Sequence, residues 1–345
     1  MIWENKIIYG DAIQILKKMP DEFVDCIITS PPYWQLRRYT DSQEEIGKEE
    51  HPKEYINKIV EICVECMRVL KSTGNFFLNL GDSYATHKAG KDTEIRISKE
   101  KRLESLVTRN APKKSLKSNW FQEKQKLLIP HRIAISLQDK GFIIRDDNVW
   151  VKKLTIFPDK ESIGSTMPFP IKDRFSSSTE YIFHIVKSKR YYFNLESVKL
   201  PTKKSTIERA KYPLSSSFKR QVKNNPYLHH KGMDEYNKRL ADKIIVDKAN
   251  PTNAIMFKRK NELKKQFEEH FATFPSSLAS LFIEVGCPKE GIVLDPFVGS
   301  GTTCLVAKKL KRKYIGIDIS EKYCKIARKR LDNRLGCKEG DLRKI

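Results

Sequence analysis

Ile292-Val293-Leu294-Asp295-Pro296-Phe297-Val298-Gly299-Ser300-Gly301-Thr302-Thr303 opens as an apolar β-branched run, halts at a proline, crosses two glycines and restarts on paired threonines. The pattern predicts a buried strand over 292–294, a tight loop, and a helix from Thr302 to Leu310 whose first N–H groups face the loop. Open α/β sheets repeat this unit and hold ligands in the loops at the carboxyl ends of their strands. Working outward, a strand over Tyr314–Ile317 ends on Asp318, and helices cover about Ser276–Val285 and Ser320–Leu331. At the other end of the chain Val24 to Thr29 is a second such run, leading into Ser30-Pro31-Pro32-Tyr33.

The segments between follow the same alternation. Ile7–Tyr9 reads as a strand ending at Gly10-Asp11, followed by an amphipathic helix carrying Ile13, Leu16 and Met19. Pro52 opens a long helix with Tyr55, Ile59, Ile62, Cys66 and Val69 at helical spacing, ending near Ser72-Thr73-Gly74, and Asn75–Leu80 is the next strand. Ile129–Lys140 reads as helix, Gly141 toward Val151 as strand, and Tyr181–Val186 as a strand antiparallel to it. The expected fold is α/β, doubly wound, with a mainly parallel seven-stranded sheet and an antiparallel element at one edge.

With 345 residues and 39% hydrophobic content, the chain can bury a large core without staples. No run approaches the ~18 consecutive apolar residues of a membrane span, and Met1-Ile2-Trp3-Glu4-Asn5-Lys6 has no signal-peptide core, so a cytoplasmic protein without membrane contact is expected. Seven scattered cysteines suit reduced thiols. Cys63 and Cys66 form one CxxC, with no second pair or nearby histidine to complete a zinc site; they read as the buried stripe of a helix, and no metal is assigned. The net charge is +23, and 18 of those charges fall in two segments, Lys88–Lys126 and Leu200–Gln266. Aromatic and amide residues such as Trp120, Phe121, Tyr212, Asn224 and His229 lie among the lysines. A solvated lysine-rich surface explains one such run; two insertions in a balanced core fit a polyanion-binding face better.

The 292–303 stretch has the make-up of a nucleoside site. Gly299 and Gly301 let backbone approach a ligand, Thr302 begins a helix, and Asp318 ends the following strand where a carboxylate accepts ribose hydroxyls. A dinucleotide fingerprint would need glycine at 304, where Cys304 stands, so no diphosphate is implied. Asp295 puts a carboxylate near a cationic ligand end, and S-adenosylmethionine, with a ribose, no phosphate and a sulfonium, fits this set. In the N-terminal loop, Ser30 offers a side-chain oxygen and Pro31 a carbonyl to the N–H bonds of an exocyclic ring amine. Pro31 and Pro32 stiffen the loop, and Tyr33 offers a face to a flipped base.

Gly10-Asp11, Thr29–Trp34, Asp173-Arg174 to Asn194, His270–Pro275, Asp295–Thr303 and Tyr314–Asp318 occur in this order along nearly the whole chain. In them the chain resembles the β-class amino-methylating DNA methyltransferases of restriction-modification systems, whose Rossmann-like core is circularly permuted. The resemblance implies a catalytic half at 1–87, a basic insertion at 88–126, core again at 127–199, a target-recognition region at 200–266 that reads double-stranded DNA, a cofactor-binding half at 267–335 and a tail at 336–345. It implies that Ser30, Pro31, Pro32 and Tyr33 are catalytic and that S-adenosylmethionine is held by Asp11, Phe271, Thr273, Phe274, Asp295, Pro296, Phe297, Gly299, Ser300, Gly301, Thr302, Thr303 and Asp318. In that family Ser-Pro-Pro-Tyr usually accompanies methylation of cytosine N4, and Asp- or Asn-Pro-Pro-Tyr of adenine N6; both bases stay open, with cytosine favoured. Methylation at C5 would need a Pro-Cys pair, which the sequence lacks. An inactive DNA-binding protein, or an enzyme acting on RNA or a protein amide, are the readings of other classes. A separately acting restriction endonuclease is an expected partner, and monomer and dimer both remain open.

Overall fold

Near-continuous apolar strands are suited to burial on both faces of a parallel sheet, and these strands occupy that position. The computed structural model describes residues 3–34, 45–85, 122, 124–166, 172–205, 248–257 and 274–332. Its strands are β1 (Lys6–Tyr9), β2 (Val24–Thr29), β3 (Leu70–Leu80), β4 (Ile143–Val151), β5 (Lys153–Ile156), β6 (Glu161–Gly164), β7 (Thr179–Val186), β8 (Leu200–Pro201), β9 (Lys248–Ala249), β10 (Ala254–Ile255), β11 (Ile292–Asp295) and β12 (Lys313–Asp318). Its helices are α1 (Ala12–Lys18), α2 (Pro52–Val69), α3 (Ile129–Asp139), α4 (Ser276–Gly286), α5 (Thr302–Lys309) and α6 (Glu321–Asp332). Every strand and helix expected from hydrophobic period is present within a few residues.

The main sheet runs β1-β12-β11-β2-β3-β7-β4-β10. All of its pairings are parallel except β3 with β7 and β7 with β4. The expectation of seven strands is corrected to eight, because Ala254–Ile255 adds at the edge of β4; two residues are too few to show a period. A hairpin of β5 and β6 was also not foreseen, since its strands have four residues each and lie mostly at the surface. Ser72-Thr73-Gly74, read as the end of the long helix, lies inside β3, because the helix stops at Val69 and the strand begins at Leu70. There the register against β2 shifts between Val24 and Cys26, and Gly74 lies against the Leu70 side chain, where a Cβ would come within 2.6 Å of it.

Helices α1, α2 and α3 cover one face of the sheet and α4, α5 and α6 the other. The long α2 turns Tyr55, Ile59, Ile62, Cys63, Cys66 and Val69 inward at helical spacing. Cys63 and Cys66 therefore lie in the core, and burial pushes both thiols well up from their ordinary range. On the α4 face a buried polar rung crosses the sheet. Asn75 of β3 bonds His184 of β7 at 2.8 Å and donates to the carbonyls of Gly286 and Tyr192. His184 stacks between Phe77 and Phe193, and burial lowers its pKa to about 4.

The chain forms two compact units, Met1–Asn194 with Asn253–Ile345, and Leu195–Thr252. The described part of the smaller unit holds one 3₁₀ turn (Leu195–Val198) and the antiparallel pair β8–β9. The basic segments lie largely outside the described residues. Among the described residues, no helix is long and apolar enough to cross a membrane.

Candidate active site

Four adjacent parallel strands, β1, β12, β11 and β2, end on the same edge of the sheet. They deliver Asp11, Asp318, the Asp295 loop and the Ser30 loop to that edge. From β11 the chain leaves through α5 toward β12, and from β2 through α2 toward β3, in opposite directions across the sheet. Divergence of this kind opens a crevice between two strand ends, where doubly wound sheets bind ligands. The two loops are joined at its floor: the Thr29 hydroxyl donates to Asp295 Oδ1 at 2.6 Å.

The glycine loop turns its polar side chains inward. Asp295, 2% exposed, also accepts from the Thr303 hydroxyl at 2.6 Å and the Phe297 N–H at 3.1 Å. Burial raises its carboxyl to about 6, with these three hydrogen bonds pulling the other way and the charge of Asp318 adding to the rise. Behind the loop, Arg330 of α6 donates to the Ser300 carbonyl at 2.6 Å, to the Ser300 hydroxyl at 2.8 Å and to the Thr302 hydroxyl at 3.5 Å. Burial lowers the pKa of that guanidinium. Asp295, Ser300, Thr302 and Thr303 thus brace the loop from within, and Pro296 is buried beside them.

What faces outward is backbone and little else. Gly299 has φ +50° and nothing within 4 Å of where a Cβ would stand. Gly301 has φ +85°, and a Cβ there would lie 2.9 Å from that of Ala327 on α6, so both its conformation and the close helix demand glycine. Asp318 fixes the loop by accepting from the N–H groups of Gly299 and Ser320, each at 2.8 Å. Each of its oxygens keeps a lone pair for a ribose hydroxyl. Burial raises this carboxyl too. The open face at Gly299, the half-buried Phe297 and the spare capacity of Asp318 fit a nucleoside without a phosphate. Asp11 caps α1 by accepting from Gln14 N–H at 3.0 Å, and Gly10 N–H donates to the Asp318 carbonyl at 3.0 Å, bringing the β1 end beside the β12 end. Phe274 lies half-buried just before α4; Phe271 and Thr273 fall outside the described residues.

The Ser30 loop is held differently. Tyr55 of α2 donates its hydroxyl to the Pro32 carbonyl at 2.8 Å, and the Trp34 indole donates to the Glu49 carbonyl at 2.9 Å. The Tyr33 ring packs on Gly81, where a Cβ would come within 2.5 Å of it. Its hydroxyl donates to Glu180 Oε2 at 2.7 Å, and burial beside that carboxylate raises its pKa. Asn79 Nδ2 reaches Tyr33 Oη at 3.0 Å, Glu180 Oε2 at 3.0 Å and Ser30 Oγ at 3.3 Å, while Ser30 Oγ stands 3.3 Å from Tyr33 Oη. Lys152 pairs with the other Glu180 oxygen. Asn79 is 3% exposed, and its Oδ1 has no hydrogen-bond partner among the described residues. An unpartnered buried acceptor of this kind costs about 1–3 kcal/mol.

Asn79, Glu180, Lys152 and Arg330 were not foreseen as site residues. A polar residue inside Phe76-Phe77-Leu78-Asn79-Leu80 is a signal that could have marked Asn79. Glu180 and Arg330 sit in ordinary strand and helix patterns and Lys152 in the bend between β4 and β5, and all three meet the site only through pairing of distant segments.

The DNA methylase family of the N6/N4 type matches this sequence over residues 24–329. The type II methyltransferase M.SmaI of Serratia marcescens is 31% identical over 329 residues, covering 95% of this chain and 91% of that protein. The DNA adenine methyltransferase YhdJ of Escherichia coli K12 is 28% identical over 332 residues, covering 94% and 82%. Among solved structures, the cytosine-N4-specific PvuII DNA methyltransferase superposes with a TM-score of 0.58 at 19% identity, covering 96% of this chain and 87% of that one.

Proposed function

The chain belongs to the N6/N4 DNA methylase family, and from that premise we propose that this DNA methyltransferase acts on the N4 amine of cytosine in duplex DNA. The observation that carries the reading is Ser30, an uncharged short acceptor at the end of β2, one strand from the braced glycine loop and tied to it through Thr29 and Asp295. S-adenosylmethionine is the methyl donor. The Gly299 backbone, Phe297 and Asp318 would hold its nucleoside, with Phe271, Thr273, Phe274 and Asp11 at the margins. When bound it supplies an electrophilic methyl group on a sulfonium.

The protein's own part is to prepare the amine. An exocyclic ring nitrogen has its lone pair spread into the ring and is a weak nucleophile. Acceptors for its N–H bonds let it pyramidalise, and Ser30 Oγ with the Pro31 carbonyl supplies them. The rigid Pro31-Pro32 pair and the Tyr55 bond to Pro32 keep these oxygens in place. The segment 200–266 is the target-recognition region in this reading, with the 88–126 insertion adding backbone contacts to DNA through its lysines and arginines. A restriction endonuclease acting on the same sequence is the proposed partner.

Incubating the purified protein with methyl-labelled S-adenosylmethionine and unmethylated plasmid DNA, then digesting to nucleosides, tests the choice of base. Label in N4-methyl-2′-deoxycytidine supports it, and label in N6-methyl-2′-deoxyadenosine assigns the protein to the adenine branch represented by YhdJ.

A further inference from the structure

The Ser30 hydroxyl, the Tyr33 hydroxyl and the Asn79 amide lie within hydrogen-bond reach of one another, and each can in principle point either way. A serine that donates toward the target amine would repel its N–H bonds. The chain of bonds therefore needs a fixed direction.

We propose that Glu180, lying behind Tyr33, is the positioning residue that sets this direction and makes Ser30 an acceptor. The proposal rests on the amine-methylation reading above. Lys152 pairs with one oxygen of Glu180, and a carboxylate so held offers lone pairs and no proton. Its other oxygen, 2.7 Å from Tyr33 Oη, obliges that hydroxyl to donate inward. The Tyr33 oxygen is then an acceptor, and the Ser30 hydroxyl, 3.3 Å away, donates to it. The same carboxylate oxygen lies 3.0 Å from Asn79 Nδ2, so the amide presents its nitrogen to Glu180, Tyr33 and Ser30, leaving Oδ1 without a partner. With its proton spent on Tyr33 and one lone pair facing Asn79, Ser30 Oγ retains a lone pair for an incoming N–H. One carboxylate on β7 thus orders groups on the β2 loop and on β3.

Glutamine in place of Glu180 keeps size but can turn its amide toward Tyr33 Oη, reversing the chain. Glu180→Gln is expected to lower kcat about 100-fold, the scale of losing one oriented polar contact in an active site. KM for S-adenosylmethionine and calorimetric affinity for S-adenosylhomocysteine should stay within about threefold. Glu180→Asp, which keeps the acceptor, should recover part of the loss. In a Ser30→Ala background Glu180→Gln should add less than about threefold, because its effect passes through Ser30.

Activity of Glu180→Gln within threefold of wild type, full multiplication of the two effects, or cofactor affinity falling in step with kcat would each overturn the proposal. If Glu180→Gln does not fold, Tyr33→Phe keeps the ring on Gly81 and removes the relaying hydroxyl. It must then lose a comparable factor, and an unimpaired Tyr33→Phe overturns the proposal equally. Wild-type protein that leaves no methyl group in DNA defeats the function itself; an active wild type with an insensitive Glu180→Gln defeats only this inference.

Discussion

Two loops lie side by side at the carboxyl ends of β11 and β2, and they are built on opposite plans. In the glycine loop Asp295, Ser300, Thr302 and Thr303 bond to the protein behind them, at distances down to 2.6 Å, and the open face is left to backbone at Gly299. In the Ser30 loop the polar side chains form a looser network, with two contacts at 3.3 Å and an acceptor on Asn79 left over. Under the proposed function the first loop is a cradle for the same cofactor in every turnover, which gains from rigidity. The second is then a site that engages a base only when one arrives, which keeps its hydrogen-bonding capacity in reserve.

The contrast predicts that the two loops fail in different ways. Ser30→Ala should lower kcat by about 10²–10⁴-fold with calorimetric cofactor affinity unchanged; parallel loss of both would break the distinction. Gly301→Val should do the reverse at its source. The side chain meets Ala327 at a left-handed backbone position, so cofactor binding is lost and stability falls by about 2–3 kcal/mol in urea denaturation. Arg330→Met, which leaves the ligand face untouched, should weaken cofactor binding about tenfold through loss of the bonds to Ser300. Unaltered binding would show that Arg330 does not brace the loop.

A fourth test separates the two regions by pH. Asp295, whose carboxyl is raised to about 6, contributes stability that is present below its unfolded value of about 4 and lost as pH rises through 6. His184, on the strand that carries Glu180 and lowered to about 4, contributes stability present above about 6.5 and lost as pH falls toward 4. The slopes oppose each other between pH 4 and 6.5. Relative to wild type, Asp295→Asn should gain stability as pH rises over that range and His184→Gln should lose it, each by up to about 3 kcal/mol. Parallel curves for wild type and variants would remove the burial account of both groups.

The sheet was legible because its strands are buried on both faces. Val24–Thr29, Ile292–Asp295 and Tyr314–Ile317 are apolar almost throughout, and glycines and prolines punctuate their ends. β10 and the β5–β6 hairpin were not, since two- and four-residue strands with exposed faces leave no periodic trace. The placement of Ser30 and Asp318 at strand ends followed from the same runs. The roles inside the loops did not. Whether Ser300 faces a ligand or Arg330 depends on a residue 30 positions later in sequence, and the orientation of Tyr33 depends on Glu180, 147 positions away. Such choices are made by packing of distant segments, which a local pattern does not record.

The most direct measurement is nucleoside mass spectrometry on DNA from cells lacking their own DNA methyltransferases that express the wild-type chain or Ser30→Ala. N4-methylcytosine in the first and none in the second is the expected result. N6-methyladenine instead, or an equal N4-methylcytosine signal from Ser30→Ala, would contradict the assignment of Ser30 as the acceptor for a cytosine amine.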